Sequence, residues 1–172
     1  SESDFEGIIY KGVTKNYKWE NLNSFLVKGS FPEFTDLPSK QILISQVIAN
    51  RLSVEVGDEL SAYFQNSMTQ SMPNIRRLKI TGLFSSGFSD FDNNFIIGDI
   101  KHIQRINKWR SNQIGAYEIF TSDLKLLNSI EKSIYAKLPS DLDAVKISRQ
   151  YATIFQWISL FDFNILIIII IM

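Results

Sequence analysis

The chain has 172 residues, 45% hydrophobic and 13% aromatic, enough to bury a real core in one domain or two small ones. Lysine plus arginine balances aspartate plus glutamate at 18 each, so no net field draws in a phosphate backbone, and no nucleic-acid partner is expected. Cysteine is absent, which rules out disulfides and thiolate metal sites.

The opening Ser1-Glu2-Ser3-Asp4 has neither the basic nor the apolar region of a signal peptide. Glu6 to Val13 then predicts a short strand between Gly7 and Gly12. From Tyr17 to Val27, the residues Trp19, Leu22, Phe25 and Leu26 stand three or four apart or adjacent, predicting a one-sided helix that Gly29 would end. Pro32 and Pro38 punctuate a loop. Gln41 to Ser45 reads as a buried strand, and Val47, Ile48, Leu52 and Val54 as a helix running into the turn Val56-Gly57-Asp58. Glu59 to Phe64 alternates Leu60, Ala62 and Phe64 on one strand face.

The polar stretch Gln65 to Asn74 holds Met68, Met72 and Pro73, and a strand resumes over Arg76 to Phe84, so the two strands predict a hairpin with an irregular tip. Ser85 to Asn94 reads as a loop and Phe95 to Ile97 as a short strand. Ile100, Ile103, Ile106 and Trp109 then mark a helix capped by Asp99. Gly115 to Thr121 is predicted as a strand. A helix follows, carrying Leu124, Leu127, Ile130, Ile134 and Leu138 and closed by Pro139, and Asp143 to Ile147 reads as another strand. Strand, helix and strand together would be a split αβ unit with one helix on a sheet face.

From Gln150 a further helix is expected, with Tyr151, Ile154, Phe155, Ile158 and Phe161 on one side, running unbroken into Ile165 to Met172. Those last eight residues are wholly apolar and would cover roughly 12 Å as a helix, against ~30 Å of hydrocarbon. They read as the first part of a transmembrane helix, since consecutive isoleucines leave no polar face. A buried C-terminal helix or strand is the alternative, and an apolar run does not separate the two.

Chemistry-bearing motifs are sparse. There is no Gly-rich Walker loop, so any nucleotide hydrolysis belongs to another chain. His102 is the one histidine, which suits a structural or solvent role better than a triad or zinc site. Asp90, Asp92 and Asp99 could bind calcium or act as acid and base in a carboxylate enzyme using Asp90 and Asp92; turn and cap duty is the simpler reading. At the hairpin tip, Met68, Met72 and Pro73 are adaptable apolar contacts for a partner, with Arg76 and Arg77 to steer an acidic one; a loop whose methionines fold back on the sheet is the alternative.

The order of these signals resembles the extracytoplasmic domain between the first two transmembrane helices of FtsX-like, or MacB-like, ABC transporter permeases, above all the lipoprotein-releasing LolC and LolE. The resemblance rests on Ile44 to Leu60 with its Leu-x-Val-x-x-Gly-Asp, on Leu78 to Phe84 leading to Gly87-Phe88-Ser89-Asp90-Phe91-Asp92, and on Ile154-Phe155-Gln156-Trp157. It covers nearly the whole chain.

It implies an α+β fold: a Porter subdomain of αβ units, incomplete at its N-terminus, with a β-rich Sabre subdomain inserted and the start of a transmembrane helix at the end. The implied divisions are 1–16 Porter strand, 17–98 Sabre, 99–163 second Porter half with exit helix, and 164–172 start of the second transmembrane helix. Implied function is non-enzymatic coupling of cytoplasmic ATP hydrolysis to extrusion of lipoprotein or another envelope substrate, with MacB-like efflux or FtsX-like signalling to a wall hydrolase as alternatives. The expected partners are a cytoplasmic ATPase, a second permease copy or homologue, a periplasmic carrier or adaptor, and the membrane, with no cofactor. The place would be the bacterial inner membrane, this domain on its periplasmic side. Gln65 to Arg77 matches the position of the Hook hairpin that recruits the carrier, and Tyr151, Ile154, Phe155, Trp157 and Ile158 would form the coupling helix.

Overall fold

The computed structural model describes residues 5–64 and 72–171 and divides into two compact units, one up to Ala116 and one from Tyr117. In the first unit lie strands β1 (Ile9–Val13), β2 (Leu26–Gly29), β3 (Gln41–Ser45), β4 (Glu59–Phe64), β5 (Asn74–Phe84) and β6 (Phe95–Asp99). They form one mixed sheet in the order β1-β6-β3-β5-β2, with β4 also on β5. Helices α1 (Gln46–Arg51), α2 (Ser89–Asn94) and α3 (Ile100–Ile106) follow β3, β5 and β6. The fold is α+β, as the sequence predicts.

Alternation along the strands divides the core between two faces. Ile42, Ile44, Leu78, Ile80, Leu83 and Ile96 pack with Ile48 and Ala49 of α1 on one face, joined by half-buried Leu60 and Ala62 of β4. Val13, Leu43, Phe84 and Ile97 pack on the other, covered by Tyr17, Trp19, Leu22, Phe31, Phe34 and Phe91. In β5 this parity changes at Thr81, because Ile42 pairs with Ile80 while Leu43 pairs with Gly82. The extra residue is a bulge, held by the Thr81 hydroxyl donating to the Ile42 carbonyl at 3.2 Å. Beyond it the hairpin of β4 and β5 bends back far enough for the Phe64 ring to meet Tyr10 of β1 edge-on, centroids 5.4 Å apart.

Several local expectations change. Between Trp19 and Phe25 the chain is a 3-10 helix, and Leu26 belongs to β2, paired with Phe84. Trp19, Leu22 and Phe25 repeat at three, the 3-10 period, while Leu26 is claimed by the sheet. Gly29 ends β2 rather than a helix, at φ +82, where a Cβ would strike the Thr81 carbonyl. Ser85 to Asn94, expected as loop, contains α2.

The second unit is a 3-10 turn (Leu124–Leu126) followed by α4 (Leu127–Tyr135), α5 (Ile147–Gln150) and α6 (Ala152–Ile171). The strands expected at 115–121 and 143–147 do not form, so there is no split αβ unit among the described residues. A period-two pattern states which face would be buried if a sheet lay alongside; without a neighbour to complete its hydrogen bonds a strand has nothing to hold it. The helix expected to run unbroken from Gln150 is interrupted at Tyr151, whose φ of −117 and ψ of 46 leave the helical region, and α6 begins at Ala152.

Candidate functional site

The β4–β5 hairpin presents one face to the core and one to solvent. Its register sets Tyr63 opposite Ile75, Ser61 opposite Arg77 and Glu59 opposite Lys79, and these six side chains share the outer face. Tyr63 is 51% exposed and Ile75 53%. Met72 stands 77% exposed beside exposed Pro73, whereas Met68 lies outside the described residues. Arg77 is exposed and has no ion pair among the described residues; half-buried Arg76 donates from Nη1 to the Ile75 carbonyl at 2.9 Å. Tyr63 and Ile75 were not singled out by the sequence. The signal was present, because β4 alternates on both parities and the set Glu59, Ser61, Tyr63 is the outer one.

Of the residues expected to form the coupling helix, Ile154, Phe155, Trp157 and Ile158 lie on α6 and Tyr151 at the joint before it. The Tyr151 carbonyl accepts from the Ile154 amide at 3.1 Å and the Phe155 amide at 3.3 Å, starting the helix. Ile154 and Phe155 are half-buried, Trp157 and Ile158 exposed. Further on, Ile165 and Ile167 to Ile170 are all exposed, on every side of the helix. Gln156, Asp162 and Asn164 interrupt the apolar sequence before that run. Among the described residues no helix is long and apolar enough to cross a membrane.

The acidic residues do not converge. Asp90 is exposed in the first turn of α2, while Asp92 is buried two residues on. The Asp92 carboxylate accepts from the Ser86 amide at 3.0 and 3.1 Å, the Ser86 hydroxyl at 2.6 Å and the Gly87 amide at 3.2 Å, so both its oxygens hold the loop after β5. Its carbonyl in turn accepts from the Ser45 hydroxyl, which also caps α1 by accepting from the Ile48 amide. Asp99 caps α3, one oxygen accepting from the Lys101 amide at 3.0 Å and the other from the Ser39 amide at 2.9 Å. No group of three metal-ligating side chains occurs among the described residues.

His102 is buried on α3, and its Nε2 meets the Ser39 carbonyl at 2.7 Å. A carbonyl only accepts, so Nε2 carries the proton and donates. Its Nδ1 is buried without a hydrogen-bond partner among the described residues. Beside it the Tyr10 hydroxyl donates to the Asp99 carbonyl at 3.1 Å, and burial first, then the Asp99 charge, push that phenol above its ordinary range. This network ties the Ser39 loop to the ends of β6 and β1.

Comparison with known proteins finds no matching family model and no matching curated sequence.

Proposed function

We propose that this chain is the extracytoplasmic part of an FtsX-like ABC permease of the lipoprotein-releasing type, a mechanical module with no chemistry of its own. A separate cytoplasmic ATPase supplies the energy, and a second permease copy or homologue stands beside it in the bacterial inner membrane. This domain faces the periplasm. On this reading 17–98 is the Sabre, 1–16 and 99–163 are Porter material, and 164–172 begins the second transmembrane helix.

The observation that carries the reading is the end of α6. Each exposed isoleucine from Ile165 onward would gain on the order of 1.5–3 kcal/mol on leaving water. A helix apolar on all sides belongs in a core or in lipid, and in this chain nothing polar shares that run. Hydrocarbon supplies the cover without a matching protein surface. α6 is then a lever from the bilayer to Ala152, and the hairpin face with Met72 and Arg77 is the contact for a periplasmic carrier or adaptor that receives a lipoprotein or another envelope substrate.

Coupling of this kind requires a stiff connection with two arrangements. In the full transporter, Ile154→Asp or Phe155→Asp is expected to leave ATP hydrolysis measurable and to abolish export. Export at the original rate in both variants contradicts the lever.

A further inference from the structure

We infer that the outer edge of β4 takes up an extended, acidic segment of a partner protein as an added strand, with a carboxylate opposite Ser61 and an apolar side chain opposite Tyr63. This rests on the proposed role of the hairpin as a partner contact and says what the partner brings to it.

Among the described residues the sheet leaves unpaired the outer edges of β1, β2 and β4 and, on the β3 side, the edge of β5 before Lys79, where the Ile75 carbonyl is taken by the Arg76 guanidinium; these edges are not alike. Exposed strand edges are templates for pairing with another chain, and proteins blunt them with lysine, proline, bulges or brevity. β1 carries Lys11 at its centre. β2 is four residues long, with a register irregularity between Leu26 and Lys28 and Gly29 at its end. β4 has none of these devices. It runs six residues in unbroken register with β5, contains neither lysine nor proline, and pairs with no strand but β5 among the described residues. Its one charge is Glu59, at the start and opposite Lys79.

Side-chain chemistry on the hairpin then selects among extended segments. An added strand would lie about 4.8 Å from β4 and about 10 Å from β5. The side chain between Arg77 and that strand is Ser61, which is short, so the guanidinium can pass over it to a carboxylate opposite. Arg77 has no ion pair among the described residues to give up. Two residues along on the same face, Tyr63 and Ile75 form a half-exposed apolar pair, the Tyr63 ring also standing 6.3 Å from that of exposed Phe5, and a branched or aromatic side chain would cover what remains open. On the inner face, half-buried Leu60 and Ala62 border the core cluster, and an apolar residue beside them would extend it. The partner segment therefore has a carboxylate and an apolar side chain two residues apart on one face, and apolar residues on the other.

The test uses the whole chain, isotopically labelled, and capped peptides of about eight residues alternating valine with glutamate and valine on the outer face. The expected result is binding that perturbs the amides of residues 59–64 and protects them from exchange. Replacing glutamate by lysine should weaken binding at least about tenfold, and Arg77→Glu should invert that preference. N-methylating alternate peptide amides, which leaves the protein untouched, should abolish binding. Three results overturn the inference: equal binding of the glutamate and lysine peptides, no perturbation of 59–64, or pairing of β4 with a second copy of the chain in place of the peptide. The assay contains no membrane or ATPase, so it can fail while the lever stands, and the export experiment can fail while this edge binds.

Discussion

The two units of the chain handle apolar residues in opposite ways. Up to Ala116, Ile42, Leu43, Ile44, Leu78, Ile80, Leu83, Ile96 and Ile97 of the central strands are buried, and Phe84 has no solvent exposure at all. From Tyr117 onward no residue whose side chain is described is buried, although this stretch is rich in aromatics and isoleucine. The first unit carries its own solvent-free interior; the second presents Tyr117, Ile119, Phe120, Val145 and the end of α6 to the outside. Stability of the first should therefore reside in packing, and the second should respond most to what surrounds it.

The sharpest way to break this contrast is a matched pair of truncations. Phe84→Ala is expected to destabilise the first unit by about 3–5 kcal/mol, since it empties a site enclosed on every side. Ile158→Ala, at a half-exposed position on α6, should change it by less than about 0.5 kcal/mol. Urea denaturation followed by tryptophan fluorescence measures both, and equal losses would contradict the contrast. A smaller effect, about 2–3 kcal/mol, is expected for Asp92→Ala, which leaves the Ser86 and Gly87 donors without their buried carboxylate. Asp90→Ala, on an exposed neighbour, should be nearly silent in the same titration.

The smallest effect lies in the second unit. The Tyr135 hydroxyl donates to Asp143, a bond that holds the carboxyl of Asp143 below its ordinary range and raises the phenol of Tyr135. A carboxyl depressed in the folded state contributes above its unfolded value, about 3.9, and loses that contribution as pH falls through the folded one. Tyr135→Phe should move the Asp143 titration, followed by carboxyl NMR, upward toward the ordinary range, the Ala144 amide and Arg149 still holding it down. An unmoved titration would show that the pair does not form in solution.

How far the fold was legible follows from the same contrast. β3, β5 and β6 could be read because their runs are branched and apolar and the neighbouring strands exist to bury them. The strands of the hairpin were legible for the same reason, with Glu59, Ser61 and Tyr63 as the outer set of β4, yet not the pairing of Tyr63 with Ile75, which depends on register. The bulge at Thr81 was hidden because it depends on the partner strand's register. Residues 115–121 and 143–147 carry strand patterns that remain unpaired, because sequence periodicity describes one side of an interaction. Asp92 suits a turn by its residue type, but its burial is hidden from the sequence: its donors come from Ser86 and Gly87, brought round by the closure of the loop.

The lever requires that the end of α6 enter lipid. Flotation of the whole chain with liposomes tests this directly, compared with a variant carrying Ile167→Lys, Ile168→Lys and Ile169→Lys, each costing about 2.5–3.5 kcal/mol at the centre of a membrane helix. The original chain is expected to float with the vesicles and the triple variant to stay in the aqueous fraction, its first unit unfolding at the same urea concentration. Equal partitioning of the two, or a first unit that unfolds when those isoleucines are replaced, would contradict it.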